Sequence, residues 1–229
     1  MCHLGTVDYR EALALQERVR AARQAGAIPD VMLLLEHWPV YTRGRRSGPG
    51  ELPMGEDWYR MQGIEIVDVN RGGKVTYHGP GQLVGYPIVR VDDVVQYVRT
   101  LEQAIVAALE GEGVAGARAR PEDGPDFTGV WSGDRKIASI GVHVARGVTT
   151  HGFAVNVEND LQPFSWVVAC GLDGVQMTSL IKETGKLAGQ MKCFRRRAAF
   201  EVAQALGRRQ RLVSQARLEA AVGAVGAAA

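Results

Sequence analysis

The sequence predicts one α+β (mixed α/β) domain, in which a mixed and largely antiparallel sheet is flanked by helices. Three observations support this prediction. Short segments typical of strands recur through residues 31–157, helical patterns are few, and glycine-containing turns separate neighbouring strands. A doubly wound sheet would instead place a helix after nearly every strand. The 229 residues, of which 46% are hydrophobic, are enough for one core.

The first elements are a surface helix and a buried strand. From Tyr9 to Ala25 apolar residues recur at helical spacing among charged ones, which predicts an amphipathic helix. Gly26 ends that pattern, and the apolar run of residues 31–35 predicts a strand that is buried on both faces. Residues 43–55 are rich in glycine, proline and arginine, so we expect a long loop that borders a site.

The remaining strands are predicted where β-branched and aromatic residues cluster between turns. They cover residues 64–69, 75–77, 83–91, 127–131, 136–143 and 151–157. Helices are predicted from Asp92 or Asp93 to about Leu109, from Ser179 to Leu187 and from Lys192 to Leu206. Alanine and glycine dominate the C-terminus, so we expect a catalytic domain over residues 1–212 and a poorly ordered tail over residues 213–229.

Composition argues against several functional classes. The formal net charge of +2 indicates no general attraction to nucleic acid or to an anionic membrane. The three cysteines, Cys2, Cys170 and Cys193, are too few and too far apart for a disulfide framework or a CxxC metal site, which fits a cytoplasmic location. The sequence contains no run of about 18 apolar residues that would span a bilayer.

Motifs for common cofactors are also missing. No G-x-G-x-x-G segment follows a strand and opens a helix, and no Walker A sequence is present. The five histidines contain no trio with a zinc-binding spacing. We therefore expect neither a metal nor another cofactor.

The densest group of glycines and polar residues lies between Arg71 and Gln82. It contains four glycines and one proline between apolar strands, a composition that favours close approach by a ligand. A tight hairpin with a solvent-facing Arg71 and a hydrogen-bonded His78 explains the pattern equally well. This segment alone specifies no reaction.

Two residues are candidates for nucleophilic chemistry. Cys170 ends an apolar run, so its thiol is either buried and inert, which is the commoner fate, or presented at the end of a strand. A thiol with an ordinary pKa of about 8.5 is mostly protonated at neutral pH, so a nucleophile needs a base. Lys136 interrupts an apolar strand and is either a strand-edge lysine or, if partly buried, an amine that accepts a proton. His78 and His151 are the alternative bases.

Taken in order, these motifs resemble those of the lipoyl(octanoyl) transferase family. The resemblance runs from about Leu33 to Leu180. Its motifs are Arg71-Gly72-Gly73 through His78-Gly79-Pro80-Gly81-Gln82, Arg135 through Gly141, His151 through Val157, and Cys170-Gly171-Leu172 before Thr178-Ser179-Leu180. The chain departs from the family at Ala169 and Trp38, where proline is common. Ala169 loosens the backbone before the cysteine.

The resemblance implies the fold of biotin and lipoate protein ligases and an acyl-transfer reaction. An octanoyl group passes from the phosphopantetheine thioester of octanoyl-acyl carrier protein to Cys170. It then passes to a lysine on a lipoyl domain of 2-oxoacid dehydrogenase complexes or on the glycine cleavage H protein. Lys136 is implied to be the catalytic partner of Cys170, in a cytoplasmic monomer without nucleic acid or membrane partners.

The resemblance also implies which residues bind the acyl chain. These are Arg71, Gly72, Gly73, Lys74, Val75, Thr76, Tyr77, His78, Ser139, Ile140, Gly141, Gly152, Phe153 and Ala154. Because both protein substrates are expected to be acidic, four arginines are candidates for a docking rim, although solvated loop arginines fit equally well. These are Arg43, Arg45, Arg46 and Arg71.

Three alternative functions remain open. An ATP-dependent lipoate or octanoate ligase would share the fold and the acceptor but would not need Cys170. A lipoyl-domain amidotransferase would share the nucleophile and differ in its donor. A non-catalytic module that binds an acyl chain or a carrier protein needs only an apolar pocket and a basic rim. The joint presence of Cys170 and Lys136 favours the carrier-dependent transferase.

Overall fold

The computed structural model describes residues 1–168 and 174–226, and seven of the described strands form the larger sheet. In spatial order these are β1 (Cys2–Val7), β2 (Val31–His37), β6 (Gln82–Ile88), β10 (Val148–Asn156), β9 (Arg135–Ala145), β8 (Gly129–Ser132) and β7 (Ala117–Arg118). β1 and β2 are parallel, and the other neighbours are antiparallel. The predicted mixed and largely antiparallel sheet is confirmed.

A smaller sheet of three described strands lies beside the larger one. Its order is β4 (Glu65–Asp68), β3 (Val40–Arg43) and β5 (Thr76–His78), and the short helix α2 (Glu56–Met61) packs on β4. Tyr41, Tyr59 and Tyr77 form its aromatic core together with Phe164. The rings of Tyr41 and Tyr59 meet edge to face at 5.1 Å, a favourable geometry for aromatic pairs.

Helices cover both faces of the larger sheet. On one face lie α3 (Val94–Glu110) and α5 (Met191–Ala205), and on the other lie α1 (Tyr9–Gln24) and α6 (Gln215–Gly226). Leu34 packs in the core under α3 and α5, whereas Leu33 and Leu35 pack in the core under α1. Successive side chains of a strand point to opposite faces, so β2 serves both cores, as its continuous apolar run predicted.

Local capping interactions fix where two of the predicted helices begin. The carboxylate of Asp8 accepts hydrogen bonds from the backbone N–H groups of Arg10 and Glu11 at the start of α1. Asp93 accepts one from the N–H of Gln96 at the start of α3. Each bond satisfies a donor that has no partner inside the helix. The predicted helix start at Asp92 or Asp93 is confirmed.

The structure differs from the sequence prediction at the two ends of the chain. Instead of a poorly ordered tail, residues 215–226 form α6, whose Leu218 and Val222 are buried in the core under α1. β1 was not predicted, because its short irregular pattern contains Gly5, and Cys2 pairs with Val213 near the other end. Both segments are held in place by contacts between residues that are far apart in sequence.

The helix predicted over residues 179–187 is shorter in the structure. It is α4 (Leu180–Thr184), and it ends because Gly185 adopts the left-handed conformation that favours glycine. None of the helices in the described part of the chain is long and apolar enough to cross a membrane.

Candidate active site

A pocket of about 370 Å³ lies along the hairpin of β9 and β10. Most of the residues predicted to bind an acyl chain line it, together with Lys136. These are Arg71, Gly72, Gly73, Lys74, Thr76, His78, Ser139, Ile140, Gly141, Gly152, Phe153 and Ala154. Val94, Val95 and Val98 from the start of α3 add an apolar wall, and Val94 and Val95 are exposed at its edge.

Val75 and Tyr77 are the two predicted acyl-binding residues that do not line the pocket. Both side chains are buried in the aromatic core of the smaller sheet, where the ring of Tyr77 meets that of Phe164 at 5.5 Å. Side chains alternate along an extended segment, so Thr76 and His78 face the pocket and their neighbours face the core. The sequence motif marked the segment without distinguishing its two faces.

Glycines allow the Arg71–Gly73 segment to pack directly against β9. The N–H of Gly72 donates to the carbonyl of Val142 at 2.9 Å. A Cβ atom at Gly141 would lie 2.9 Å from the carbonyl oxygen of Gly72, closer than side-chain carbons normally approach. The guanidinium of Arg71 is buried and donates to the carbonyl and hydroxyl of Thr42, both at 2.7 Å. One wall of the pocket is therefore closely packed main chain.

Lys136 is buried at one end of the pocket, with 2% of its surface exposed. Its N–H donates to the carbonyl of Gln176, and its own carbonyl accepts from the N–H of Thr178, both at 2.9 Å. Its Nζ lies 5.2 Å from the centroid of the Trp131 ring. Lys136 is therefore not a strand-edge lysine in solvent, because residues 176–178 run beside it as a further extended segment.

The space for the Lys136 side chain depends on Gly129. A Cβ atom there would lie 2.9 Å from Lys136 Cε and 2.3 Å from the carbonyl oxygen of Ala138. The N–H of Gly129 donates at 2.9 Å to the fully buried carboxylate of Glu102, which also pairs with Arg99. Glu102 thus fixes Gly129 to α3, and it is a site residue that the sequence analysis missed.

A second missed residue is Glu183 of α4. It links the hairpin of β8 and β9 to residues 176–178, the segment that runs beside Lys136. Its carboxylate accepts from Ser132 at 2.7 Å, from Arg135 at 2.9 and 3.0 Å, and from the hydroxyl of Thr178. Burial alone would raise the pKa of this carboxyl, but the hydrogen bonds from Arg135, Thr178 and Ser132 outweigh it and lower the pKa to about 2. No local motif marks this residue.

The predicted nucleophile Cys170 and its neighbour Ala169 lie outside the described residues. Described residues on both sides of them form backbone hydrogen bonds with other parts of the protein. The N–H of Val168 donates to the carbonyl of Glu51 at 3.1 Å, and Gln176 and Thr178 pair with Lys136. Cys170 therefore precedes, by six residues in the sequence, the segment that is hydrogen-bonded to Lys136.

Buried rings close the other end of the pocket. Tyr9, His78, Tyr86 and His151 line it, and His37 packs behind them, hydrogen-bonded to the hydroxyl of Tyr86 at 2.7 Å. His78 donates to Gln82 at 2.7 Å, and His151 binds Asn70 at 2.8 Å. Tyr9 and Tyr86 were not predicted, because Tyr9 lies within an ordinary helical pattern and Tyr86 within a strand pattern.

These histidines are neutral at physiological pH. Burial lowers the pKa of His37 to about 4. Burial, and next the charge of Arg71, lower the pKa of His151 to about 3. Burial and then His37 hold the pKa of His78 well below its ordinary value. Such weak bases are poorly suited to take a proton from a thiol, which disfavours His78 and His151 as the base.

The histidine cluster predicts acid lability. The unfolded chain binds protons at these histidines near pH 6.5, whereas in the folded chain His37 binds one only near pH 4 and His151 only near pH 3. Their contribution to stability is therefore complete above about pH 6.5 and falls as the pH drops. Each of the three histidines contributes up to about 1.4 kcal/mol per pH unit. Denaturant unfolding between pH 5 and 6.5 is the measurement. We expect His37→Gln to reduce the slope more than His143→Gln does, and an equal slope in both variants would contradict the prediction.

The proposed docking rim is not an open basic surface. Arg43 pairs with Asp68 and Glu56, and Arg46 pairs with Asp126. Arg71 is buried, and Arg45 and Arg46 are the exposed members of the four, of which Arg46 is the one paired with Asp126. Acidic residues of β4, of α2 and of the turn at Asp126 thus pair with two of the four arginines, Arg43 and Arg46.

Comparison with known proteins identifies close relatives. Residues 8–199 match the family model for the lipoyl protein ligase A/B catalytic domain. An octanoyltransferase of Solibacter usitatus is 50% identical over 173 residues (74% of this chain, 76% of that protein), and one of Thermobifida fusca is 43% identical over 194 residues (80% and 78%). A Thermoplasma acidophilum protein assigned as a lipoate protein ligase, solved with bound lipoic acid, has the same fold at a TM-score of 0.76 and 20% identity (97% and 91% covered).

Proposed function

This chain belongs to the lipoyl protein ligase A/B catalytic domain family, and from that membership we propose that it transfers octanoyl from octanoyl-acyl carrier protein, through a thioester on Cys170, to a lipoyl-domain lysine. Relatives that are octanoyltransferases show that it is an acyltransferase of protein lipoylation. The donor, the covalent intermediate and the acceptor are the proposal. The observation that supports it best is Lys136, buried in the pocket and paired with the segment that follows Cys170.

The first step exchanges one thioester for another. Lys136 takes the proton of the Cys170 thiol, and the sulfur attacks the carbonyl carbon of the donor. The bond from that carbon to the phosphopantetheine sulfur then breaks, and this sulfur leaves with the proton. One carbon–sulfur bond forms as another breaks, so the step is nearly balanced in free energy.

The second step forms the amide. The acceptor amine attacks the octanoyl-Cys170 carbonyl, the carbon–sulfur bond breaks, and the amine proton returns through Lys136 to the cysteine sulfur. An amide is more stable than a thioester, so this step is downhill and needs no ATP. The neutral histidines would not compete with Lys136 for the proton.

An octanoyl chain fits within the part of the pocket that runs along β9. Tetrahedral carbon–carbon bonds of about 1.5 Å advance an extended chain by about 1.3 Å per carbon, or about 9 Å for eight carbons. A strand advances about 3.3 Å per residue, so an acyl chain that starts beside Lys136 reaches Ser139 or Ile140 of β9. Gly141, Gly152, Phe153 and Ala154 surround that position with small or apolar surface.

The ligase and amidotransferase alternatives share this pocket and differ in donor. The test is a reaction of octanoyl-acyl carrier protein with a lipoyl domain in the absence of ATP, followed by mass spectrometry of the acceptor. We expect the acceptor to gain one octanoyl group. Modification only with octanoate and ATP would show a ligase instead, and modification only from an octanoylated lipoyl domain would show an amidotransferase.

A further inference from the structure

A second groove, of about 640 Å³, lies at the β1 edge of the larger sheet, between α5 and residues 210–212. Over residues 1–168 and 174–226, it has no lining residue in common with the acyl pocket. Met1, Leu34 and Ala199 form its apolar floor. Phe200 and Leu212 stand at its rim with 50% and 67% of their surfaces exposed, a large apolar area for a free surface.

Three cations line this groove on one side, and none of the described residues that line it is acidic. Lys192, Arg195 and Arg196 occupy one face of α5, since residues three and four apart are neighbours on a helix. Within the described chain these three form no ion pair, whereas their neighbours Arg197 and Arg208 pair with Glu112 and Asp30. The groove is therefore both apolar and positively charged, unlike the surface around Arg43 and Arg46, where carboxylates pair with the arginines.

The positive charge of Arg195 also acts on His3, an exposed residue that lines the groove. Burial is the main cause that lowers the pKa of His3, and the next is the charge of Arg195. Glu36 acts in the opposite direction and more weakly. An anionic group in the groove would thus meet a favourable potential.

The groove lies close to the acyl pocket across the sheet. His3, Leu34, Gly85, Phe153 and Ile140 are successive cross-strand partners on five neighbouring strands. Strands are spaced by about 4.8 Å, so Leu34 of the groove lies about 10 Å from Phe153 of the pocket, and His3 about 19 Å from Ile140. The donor thioester must reach Lys136, which lies four residues before Ile140 on β9 and so about 13 Å farther along the strand. A partner bound beside His3 would therefore need to span about 23 Å.

We propose that this groove is the docking surface for the acyl-donor protein, and that it binds an acidic amphipathic helix of that protein. Carboxylates of the helix meet Arg195 and Arg196, and an apolar side chain lies between Phe200 and Leu212. This inference rests on the proposed function, in which the donor carries its thioester on a long phosphopantetheine arm. A lysine side chain reaches only about 6 Å from its backbone, so the acceptor must dock at the pocket itself.

The test is charge reversal with a matched control. Arg195→Glu is expected to raise KM for octanoyl-acyl carrier protein about tenfold, with kcat unchanged, and to weaken the dependence of KM on salt. Arg18→Glu is the control, because Arg18 is exposed on α1, on the opposite face of the sheet, and forms no ion pair within the described residues. Phe200→Ser is expected to act like Arg195→Glu through the apolar contact.

Parallel reactions with a second donor distinguish a docking role of the groove from other effects of the substitutions. With octanoyl-N-acetylcysteamine, a donor without protein, Arg195→Glu is expected to match wild type, and an equal loss with this donor would overturn the docking role. The inference is also overturned if KM rises for the lipoyl domain instead, if Arg18→Glu has the same effect, or if KM for the carrier donor does not change. A wild-type protein that takes no octanoyl from the carrier would contradict the proposed function itself.

Discussion

Replacing Lys136 by methionine is expected to lower kcat for octanoyl transfer by about 10³-fold and to change KM for the donor by only a few fold. General acid–base groups contribute about 10²- to 10⁴-fold to rate, and an interaction made only in the transition state affects kcat rather than binding. Methionine keeps an unbranched apolar stem against Trp131 and in the space left by Gly129. The substitution therefore removes the amine and retains most of the packing.

Steady-state kinetics with octanoyl-acyl carrier protein are the measurement for Lys136→Met, with thermal unfolding to show that the variant is folded. Lys182→Met is the matched control, because Lys182 is exposed on α4, and we expect it to keep wild-type kcat. His78→Gln tests the alternative base and is expected to cost less than tenfold. A variant at Lys136 that keeps wild-type kcat, or a larger loss at His78, would contradict the role of Lys136.

Replacing Glu183 by alanine is expected to destabilise the protein by about 3 kcal/mol and to lower kcat by at least tenfold. The substitution leaves Arg135, Ser132 and Thr178 without their shared acceptor, and a lost hydrogen bond to a charged group costs about 1.5–3 kcal/mol. The rate falls because Thr178 pairs with Lys136 and follows Cys170, and small displacements of reacting groups are costly.

The pH dependence of stability separates this role from a general packing effect. The folded pKa of Glu183 is about 2 and the unfolded value about 4.5, so its contribution is present above pH 4.5 and is lost as the pH falls toward 2. Glu183→Gln is expected to remove that acid-dependent part, and Glu122→Ala, on an exposed turn, serves as the control. An unchanged acid profile and an unchanged kcat in Glu183→Gln would show that the carboxylate does not position the site.

The parts of the fold that sequence predicts are those that local patterns determine. α1 and α3 each have a helical periodicity and begin at a capping aspartate, and β2 contains a continuous apolar run. The sequences of β1 and α6 show no such local pattern. Cys2 becomes buried by pairing near Val213, and Leu218 by packing on α1, so both segments depend on contacts between the two ends of the chain.

The distinction between local patterns and contacts that are distant in sequence also applies to the candidate active site. Glycine-rich motifs located most of the pocket wall, because close main-chain approach requires glycine locally, as at Gly141. Glu102 and Glu183 could not be found in this way, since each acts on strands that lie distant in sequence. The ion pairs of Arg43 and Arg46 could not be predicted either, because their partners Asp68 and Asp126 lie far from them in sequence.

The transient thioester on Cys170 is tested most directly by mass spectrometry of the protein after incubation with octanoyl-acyl carrier protein, without acceptor and without ATP. We expect one added octanoyl group, on a peptide that contains Cys170, released by neutral hydroxylamine and transferred when a lipoyl domain is added. The exposed Cys193 is an internal control for non-specific acylation, since it is accessible but is not proposed to react. Octanoyl on Cys193 or on a lysine in place of Cys170, or acylation only in the presence of ATP and octanoate, would contradict a thioester mechanism at Cys170.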